Sequence, residues 1–270
     1  MNVVFWNLNK KDLTDVIKEI AEENDIDVFV FCEYMINDYK FLTTVNSEKK
    51  IFQEVEDFGN DKLKIYSTLG LKNFRPLKIS NRWHIFEVKI PFYPNFIFVT
   101  AHLISKVNFK ETSQLLDLTL LRNDIDEAIQ DSGLERVVLL GDLNINPFEE
   151  GMMASTGLHS TMDKAIALKE GRKVQGNVYK YFYNPMWNFL GDESLGKVAG
   201  THFYRSSEHI SYDWNVYDQL LYTPSLIDYI DVQNIDIVFK TNSFNLVNKN
   251  GRIDKKYSDH LPLKFKIKNI

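Results

Sequence analysis

The chain has 270 residues, of which 44% are apolar and 26% charged, the composition of an ordinary globular protein. Its single cysteine, Cys32, excludes a disulfide framework within the chain and any cysteine-based zinc cluster. The net charge of −5 argues against a protein that coats nucleic acid by broad phosphate neutralisation, but it leaves metal-assisted catalysis on phosphates open. There is no apolar stretch of about 18 residues and no visible signal peptide, so we expect a cytoplasmic protein without a membrane-spanning segment.

The first part of the chain alternates between short apolar runs and one amphipathic segment. Residues 3–6 predict a β-strand that ends at Asn7. Asp12 is then the expected N-cap of a helix whose apolar residues recur at helical spacing from Leu13 to Ala21. Residues 27–33 are apolar almost throughout, which is typical of a strand covered on both faces. Further strands are predicted at 62–67, 83–90 and 95–102.

A second amphipathic helix follows, with apolar residues on one stripe from Leu115 to Ile129 and Gly133 placed to end it. Residues 136–140 predict another buried strand, whereas about 150–215 form a long, irregular, aromatic-rich insertion. Strands are predicted at 216–223, 235–241 and 261–267, with a tight turn at Asn250-Gly251. This mixture predicts a layered α/β fold rather than a pure βαβ winding. No linker or repeat divides the chain, so we expect one domain over 1–270, without a visible obligate protein partner.

Polar side chains lie where the apolar strands end. Asn7, Glu33, His102 and Asp142 each stand at the carboxyl end of a predicted strand, the edge at which α/β sheets tend to bind ligands. Asp142 and Asn144 face the same side of an extended backbone, and Asp259-His260 precedes the last strand. Each residue alone has a simpler interpretation, as a turn, a solvated carboxylate or a structural histidine. Together these oxygen and nitrogen donors suit Mg²⁺, with Mn²⁺ as a substitute, better than zinc.

Six motifs in this order resemble those of the endonuclease/exonuclease/phosphatase superfamily, from pancreatic-type DNases to inositol-polyphosphate 5-phosphatases. The motifs are Phe5-Trp6-Asn7-Leu8-Asn9, Cys32-Glu33, Thr100-Ala101-His102-Leu103, Gly141-Asp142-Leu143-Asn144, Tyr217-Asp218-Gln219-Leu220 and Ser258-Asp259-His260-Leu261-Pro262. Either of the two most specific elements, Gly-Asp-x-Asn and Ser-Asp-His-x-Pro, would be weak alone. The resemblance implies a DNase I-like four-layer α/β sandwich, in which two packed mixed β-sheets are flanked by helices.

The resemblance also implies a role for each motif residue. Glu33 would be the principal Mg²⁺ ligand, with Asn7 and Asp259 in or near the coordination sphere. Asp142 would orient or deprotonate the attacking water, and Asn144 would hold a phosphate oxygen. His102 and His260 would contact the phosphate or the leaving group, and Asp218 would orient one of these two imidazoles, which one being left open.

The sequence departs from the family pattern beside the metal glutamate. Family members often have Gln before this residue, where this chain has Cys32, which we interpret as an inert strand residue without a redox role. The segments typical of abasic-site endonucleases, inositol 5-phosphatases and sphingomyelinases are missing, so no subfamily fits closely.

The substrate is the point on which the sequence is least informative. The aromatic stretch at 172–215 either stacks the bases of a single strand or forms a satellite core, and we favour the core. Candidate substrate contacts are Arg75, Arg82, Trp187 and Arg205. We expect a Mg²⁺-dependent phosphodiester hydrolase, most simply a nuclease acting on DNA or RNA. The alternatives are a phosphatase or phosphodiesterase acting on a small molecule or lipid headgroup, and an inactive binding relative.

Overall fold

The computed structural model describes residues 1–55, 62–106 and 111–270. In chain order its strands are β1 (Asn2–Asn7), β2 (Val28–Cys32), β3 (Gln53–Glu54), β4 (Leu63–Ser67), β5 (Phe74–Ile79), β6 (Trp83–Val88), β7 (Phe96–His102), β8 (Val137–Asp142), β9 (Ser160–Thr161), β10 (Gly171–Val174), β11 (Asn177–Lys180), β12 (Phe182–Tyr183), β13 (His202–Tyr204), β14 (Asp213–Asn215), β15 (Asp218–Tyr222), β16 (Asp236–Ile237) and β17 (Leu263–Lys266). The α-helices are α1 (Thr14–Asn24), α2 (Asp38–Val45), α3 (Glu111–Ser132), α4 (Glu150–Met153) and α5 (Lys164–Ala167). Short 3-10 helices cover Leu71–Asn73, Pro185–Phe189, Pro224–Leu226 and Val232–Asn234.

The larger strands form two mixed sheets. The first has six strands in the order β16-β17-β1-β2-β4-β3, with β1 and β2 parallel and the other pairs antiparallel. The second has seven strands in the order β5-β6-β7-β8-β15-β12-β9, with β7 parallel to β8 and β9 parallel to β12. Two further hairpins, β10–β11 and β13–β14, stand apart from these sheets.

The apolar pattern of each element explains its layer. All five residues of β2 are buried, as expected for a strand covered on both faces. One core cluster contains Phe29 and Phe265 of the first sheet together with Phe98 and Leu220 of the second, so the two sheets pack face to face. On the outer face of the second sheet, α3 buries one apolar stripe that includes Leu121. Each such side chain contributes about 1.5–3 kcal/mol when fully buried.

The two predicted amphipathic helices are confirmed, with one correction at an end. Thr14, rather than Leu13, is the first helical residue of α1, and Asp12 accepts a hydrogen bond from its backbone N–H at 3.2 Å. Asp12 therefore supports the start of the helix from two residues away instead of occupying the N-cap position. At the end of α3, Gly133 adopts the left-handed conformation (φ 69°) that favours glycine, and its N–H bonds to the carbonyl of Ile129.

Other sequence expectations need larger corrections. The strand predicted at 235–241 is only Asp236–Ile237 long, because the chain turns into irregular structure directly afterwards. The helix α2 and the strand β5 were not predicted, and the region 150–215 contains two hairpins rather than irregular chain alone. The predicted fold class is nevertheless confirmed, since two packed mixed sheets are flanked by helices. Among the described residues, none of the helices has the length and apolar character needed to cross a membrane.

Candidate active site

The site lies at one edge of the sandwich, where strands of both sheets end. In the first sheet Asn7, at the end of β1, is in register with Cys32, at the end of β2, and Glu33 follows directly. In the second sheet His102 and Asp142 are paired at the parallel ends of β7 and β8. Because β15 runs antiparallel to β8, its first residue, Asp218, lies opposite Asp142. The topology thus brings residues that are far apart in sequence to a single edge.

The backbone around these residues is specialised. A Cβ atom at Gly141 would lie 2.0 Å from the carbonyl oxygen of Ala101, so only glycine allows β7 and β8 to approach this closely just before Asp142. Asn144 has a φ of 53°, a conformation that Asn tolerates. Glu33 has a φ of 48°, which is unusual for this residue type. Such backbone strain tends to cluster at functional sites, where it aims a side chain.

Asp142 is the central carboxylate of the site and is almost completely buried. Its Oδ2 accepts a hydrogen bond from Asn7 Nδ2 at 2.9 Å, and its Oδ1 accepts one from the backbone N–H of Asn144 at 3.0 Å. The Nε2 atoms of His102 and His260 each lie 3.8 Å from Oδ2. Burial alone would raise the pKa of Asp142, but the two imidazoles and the hydrogen bonds outweigh it and lower the pKa. Asp142 is therefore ionised at neutral pH.

Asp218 pairs with His260, which answers the question that the motifs left open. The Nδ1 of His260 lies 2.8 Å from Asp218 Oδ2, and both side chains are buried. Burial disfavours the charged imidazole, but Asp218 and Asp142 outweigh this effect and raise the pKa of His260 to about 10. Because Nδ1 is held by Asp218, Nε2 points toward Asp142. His260 is therefore a protonated imidazole whose second nitrogen faces the carboxylate at the centre of the site.

The main chain around His260 is tied to the first strand. Its backbone N–H donates to Ser258 Oγ at 3.1 Å, and this hydroxyl donates to the carbonyl of Asn7 at 2.7 Å. Its carbonyl accepts a hydrogen bond from the indole Nε1 of Trp6 at 2.9 Å. The motif residues around His260 and Asn7 therefore support each other directly.

Glu33, Asn7 and Asp259 are the predicted metal ligands. Glu33 is partly exposed, with its Oε1 3.9 Å from His102 Nε2 and 3.5 Å from Asn7 Nδ2. The amide of Asn7 donates to the carboxylates while its Oδ1 accepts from the backbone N–H of Asn9 at 2.9 Å. Asp259 is half-buried beside His260. Two carboxylates and an amide oxygen are donors that Mg²⁺ accepts, so this residue set fits such an ion.

Asp142, Asp218 and His260 also form a group whose ligand atoms all lie within 4.8 Å of one another. In this group the 2.8 Å contact between His260 and Asp218 is a hydrogen bond. Asp218 and His260 are thus already paired with each other, and the metal ligands stay predicted at Asn7, Glu33 and Asp259.

Helix α3 joins the loops that follow β7 and β8, beside His102 and Asn144. Gln114 is buried, and its Nε2 donates to the carbonyls of both Ile104 (3.1 Å) and Asn144 (2.8 Å). Asn144 Nδ2 in turn donates to the carbonyl of Leu103 at 3.0 Å. The loops after β7 and β8 are therefore held together, which fixes the position of His102 relative to Asn144.

His202 is a site residue that the sequence did not reveal. None of the six motifs contains it, but its ring stacks on that of Tyr217 at 5.1 Å and lies 4.5 Å from the ring of His260. Burial and the neighbouring His260 lower the pKa of His202 to about 3, so this imidazole is neutral. No local motif marks it, because it joins the site through contacts with segments distant in sequence, such as its bridge to His260.

The four predicted substrate contacts fall in different places. Arg75 does not lie at the site, contrary to its prediction as a substrate contact. It lies opposite Glu87, near the end of β5 that is remote from the site, and forms an ion pair with this buried carboxylate. Arg82 is next to the site, since its carbonyl accepts from the backbone N–H of His102 at 2.8 Å. Arg205 pairs with Asp213 in the exposed hairpin β13–β14. Arg82 and Arg205 stay predictions.

The aromatic stretch divides between core and surface. Phe182, Tyr183 and Phe189 are buried, but they belong to the two main core clusters rather than to a satellite core. Trp187 is only half-buried, and its ring lies 6.3 Å from that of Phe148, in the loop that follows Asn144. The role of Trp187 as a substrate contact therefore stays a prediction.

Solved structures share this fold over nearly the whole chain. An endonuclease/exonuclease/phosphatase family protein from Bacteroides thetaiotaomicron is 14% identical, with 99% of this chain and 97% of that chain covered and a TM-score of 0.55. TDP2 from D. rerio, complexed with a single-strand DNA product, is 15% identical over 100% and 99% of the two chains, with a TM-score of 0.57. A mannosyl-6-phosphatase from Bacteroides thetaiotaomicron is 14% identical over 99% of each chain, also with a TM-score of 0.57.

No protein-family model matches the chain, and no curated protein matches it. At about 14% identity the likeness to solved structures is a likeness of fold. The resemblance predicted from the motifs is confirmed at this level: the chain has the DNase I-like fold of the endonuclease/exonuclease/phosphatase superfamily.

Proposed function

We propose that this protein is a divalent-cation-dependent phosphoesterase, and that its substrate is a phosphodiester of DNA or RNA. The observation that carries the proposal is the convergence of Glu33, Asp142 and the Asp218–His260 pair at one edge of the sandwich. A protein that only binds phosphate has no need of a buried carboxylate–imidazole pair beside a second buried carboxylate. Relatives in fold include one protein named as an AP endonuclease and one named as a sugar phosphatase.

Glu33 and Asp259 would hold Mg²⁺, with Asn7 beside them. When bound, this ion supplies charge neutralisation at the phosphate oxygens. A partly exposed Glu33 is suited to this task because it reaches the solvent and is linked to the buried Asp142 through the amide of Asn7.

Asp142 is the residue that we assign to the attacking water. The Nε2 atoms of His102 and His260 each lie 3.8 Å from Asp142 Oδ2. This distance exceeds that of an N–H···O hydrogen bond, which is at most about 3.2 Å, so neither imidazole is hydrogen-bonded to this oxygen. A carboxylate with a lowered pKa is a weak base near neutral pH. We therefore assign Asp142 to orienting the water in line with the scissile bond rather than to removing its proton.

We assign His260 to the negative charge on the phosphate or on the leaving oxygen. As a protonated imidazole with its Nδ1 held by Asp218, it can donate from Nε2 to a phosphate oxygen or to the leaving oxygen. The partly exposed His102 supplies a second imidazole, whose Nε2 lies 3.8 Å from the same oxygen of Asp142. Asn144, held by Gln114 and by the carbonyl of Leu103, keeps one amide N–H for a phosphate oxygen.

The test is a panel of substrates with matched variants. Purified protein would be incubated with Mg²⁺, with Mn²⁺ and with a chelator on single- and double-stranded DNA, RNA, inositol phosphates and a sugar phosphate. Asp142→Asn and His260→Ala would be compared with Asp131→Asn and His209→Ala, which change exposed residues of the same types. Thermal unfolding of every variant would show that each is folded.

The outcomes separate the candidate functions. Cation-dependent scission of an oligonucleotide that is lost only in the site variants supports a nuclease. Phosphate release from small substrates without scission would support the phosphatase alternative. Absence of hydrolysis with either cation would contradict the proposal and favour a binding protein. Hydrolysis that survives in the Asp142→Asn, His260→Ala double variant would refute the site assignment.

Two organisational predictions accompany this function. We propose that residues 1–270 form one domain, because residues from both sheets share a core cluster. The cytoplasmic location stays a prediction from the sequence.

A further inference from the structure

Cys32, which the proposed reaction does not use, is the last residue of β2 and is completely buried. Its strand belongs to the first sheet, but its Sγ is directed toward the second sheet. The sulfur lies with a ring nitrogen of His102 and a carboxylate oxygen of Asp142 in a group whose ligand atoms are all within 4.8 Å of one another. The thiol therefore lies where the apolar core meets the polar groups of the site.

The distances between these three donors, all within 4.8 Å, can be compared with those of a tetrahedral zinc site. Zinc binds thiolate at about 2.3 Å, imidazole at about 2.0–2.1 Å and carboxylate at about 2.0–2.2 Å, so donors of one ion are roughly 3.3–3.6 Å apart. The observed distance from His102 Nε2 to Asp142 Oδ2 is 3.8 Å. A contraction of a few tenths of an ångström would therefore bring these two donors to the spacing of ligands of one ion.

The charges around the sulfur favour a cation at this point. The carboxylates of Asp142, Asp218 and Glu33 all act electrostatically on the sulfur of Cys32. These carboxylates attract a divalent cation, and a thiol that coordinates such an ion loses its proton. Glu33, whose Oε1 lies 3.9 Å from His102 Nε2, borders the open side of the group.

The type of donor decides which ion is preferred. Thiolate and imidazole select zinc and related thiophilic ions, whereas Mg²⁺ requires oxygen donors. A single cysteine excludes a cluster of thiolates, but it does not exclude a mixed site with one thiolate, one imidazole and one carboxylate.

We propose that Cys32, His102 and Asp142 form a binding site for a thiophilic divalent cation of the zinc class, distinct in its donors from the Mg²⁺ site at Glu33 and Asp259. Binding releases the thiol proton to solvent and forms one metal–sulfur bond, without any redox change. Because the ion takes up Asp142 and His102, it excludes these residues from hydrolysis. This inhibitory consequence rests on the proposed function, whereas the binding itself does not.

Co²⁺ is the probe that tests the binding without any activity assay. A cobalt–thiolate bond gives a charge-transfer band in the near ultraviolet, and the chain has one cysteine, so any such band belongs to Cys32. We expect the band to appear when the wild-type protein is titrated with Co²⁺ and to disappear when Zn²⁺ displaces it. Cys32→Ser and Cys32→Ala should lose the band and bind Zn²⁺ at least about tenfold more weakly. Changes of residues that only orient the metal ligands already weaken binding by about this factor, so the loss of a ligand should cost no less. His209→Asn, an exposed change, should behave as wild type.

The possible results are decisive in either direction. Absence of the cobalt–thiolate band in the wild-type protein would overturn the proposal. This measurement does not depend on whether any variant folds. Equal Zn²⁺ affinity in the wild type and in whichever cysteine variant is folded would also overturn it. If the protein hydrolyses a substrate, Zn²⁺ should lower the rate of the wild type. In the cysteine variants Zn²⁺ should lower the rate less, so that the rates with and without Zn²⁺ become nearly equal. If it hydrolyses none, the proposed function fails while the cobalt spectrum still decides the metal site.

Discussion

The two ends of the sandwich both carry charged residues, but they use them differently. At the end remote from the site, a cavity of about 710 Å³ is lined by residues such as Asn2, Lys197 and Asp236. Its Lys264 donates to Asn24 Oδ1 at 2.6 Å and lies 3.7 Å from Asp236 Oδ2, an ordinary partly exposed ion pair. At the other end, Asp142, Asp218 and His260 are buried together.

This difference shows why the volume of a cavity is a poor guide to chemistry. Partly exposed ion pairs are solvated and contribute little. A buried group of carboxylates and imidazoles is expensive to maintain, and its pKa values are shifted accordingly. Groups of this kind are candidates for function because their protonation states are set by the fold. The following changes test the contrast between the two ends, starting with the largest expected effect.

Asp142→Asn should reduce hydrolysis by on the order of 10²-fold or more, because it removes the charge that orients water and balances two imidazoles. The measurement is kcat/KM on the substrate identified by the panel. Asp131→Asn, at an exposed position near the end of α3, is the matched control and should leave the rate unchanged. Equal rates in the two variants would remove Asp142 from the proposed site.

The stability of the metal-free protein should depend on pH through His260. The pKa of this imidazole is raised from an ordinary value of 6.5 to about 10, so its contribution is fully present below pH 6.5 and is lost as the pH rises through about 10. Denaturant unfolding in the presence of a chelator should therefore give a free energy of unfolding that falls across this window. In His260→Gln the fall should be absent, whereas His209→Gln should retain it. A wild-type protein with a flat profile would contradict the buried ion pair with Asp218.

Gln114→Leu tests whether the loops after β7 and β8 must be held together. The change leaves the carbonyls of Ile104 and Asn144 without this donor, and we expect a loss of about 1–3 kcal/mol in unfolding free energy. Misplacement of Asn144 and His102 should also lower kcat by roughly tenfold, with KM changed less. Gln130→Leu, at an exposed position of the same helix, is the control. A stability loss with full activity would show that the link serves the fold alone.

The smallest effect is expected at the remote end. Lys264→Ala removes the ion pair with Asp236 and should cost less than about 1 kcal/mol, as is usual for partly exposed pairs. Hydrolysis should be unchanged. A large loss of activity in this variant would break the contrast between the two ends and point to a role for the 710 Å³ cavity.

Much of the site could be predicted because strand ends are visible in the sequence. Asn7, Glu33, His102 and Asp142 each follow an apolar run, and the parallel pairs β1–β2 and β7–β8 place them at one edge. Both amphipathic helices were visible for the same reason, since their apolar residues recur with helical spacing. Local patterns of this kind depend only on neighbouring residues.

The remaining features depend on contacts between distant segments. His202 enters the site through a bridge to His260, in a region without periodicity. Arg75 was a plausible phosphate contact by residue type, but strand register places it opposite Glu87. The choice of Asp218 as the partner of His260 also needs the three-dimensional register of β15 and β8.

Sequence alone determined the two longest helices, most of the long strands, the layered α/β class and the inventory of carboxylates, amides and imidazoles, because these follow from local periodicity and residue chemistry. Tertiary structure decided which of these groups meet and in what state of charge. A pKa depends on burial and on charges a few ångströms away, and neither can be read from chain order. Cys32 shows this most clearly: as a strand residue it is one buried thiol among many apolar neighbours, whereas in the folded protein its sulfur stands beside His102 and Asp142.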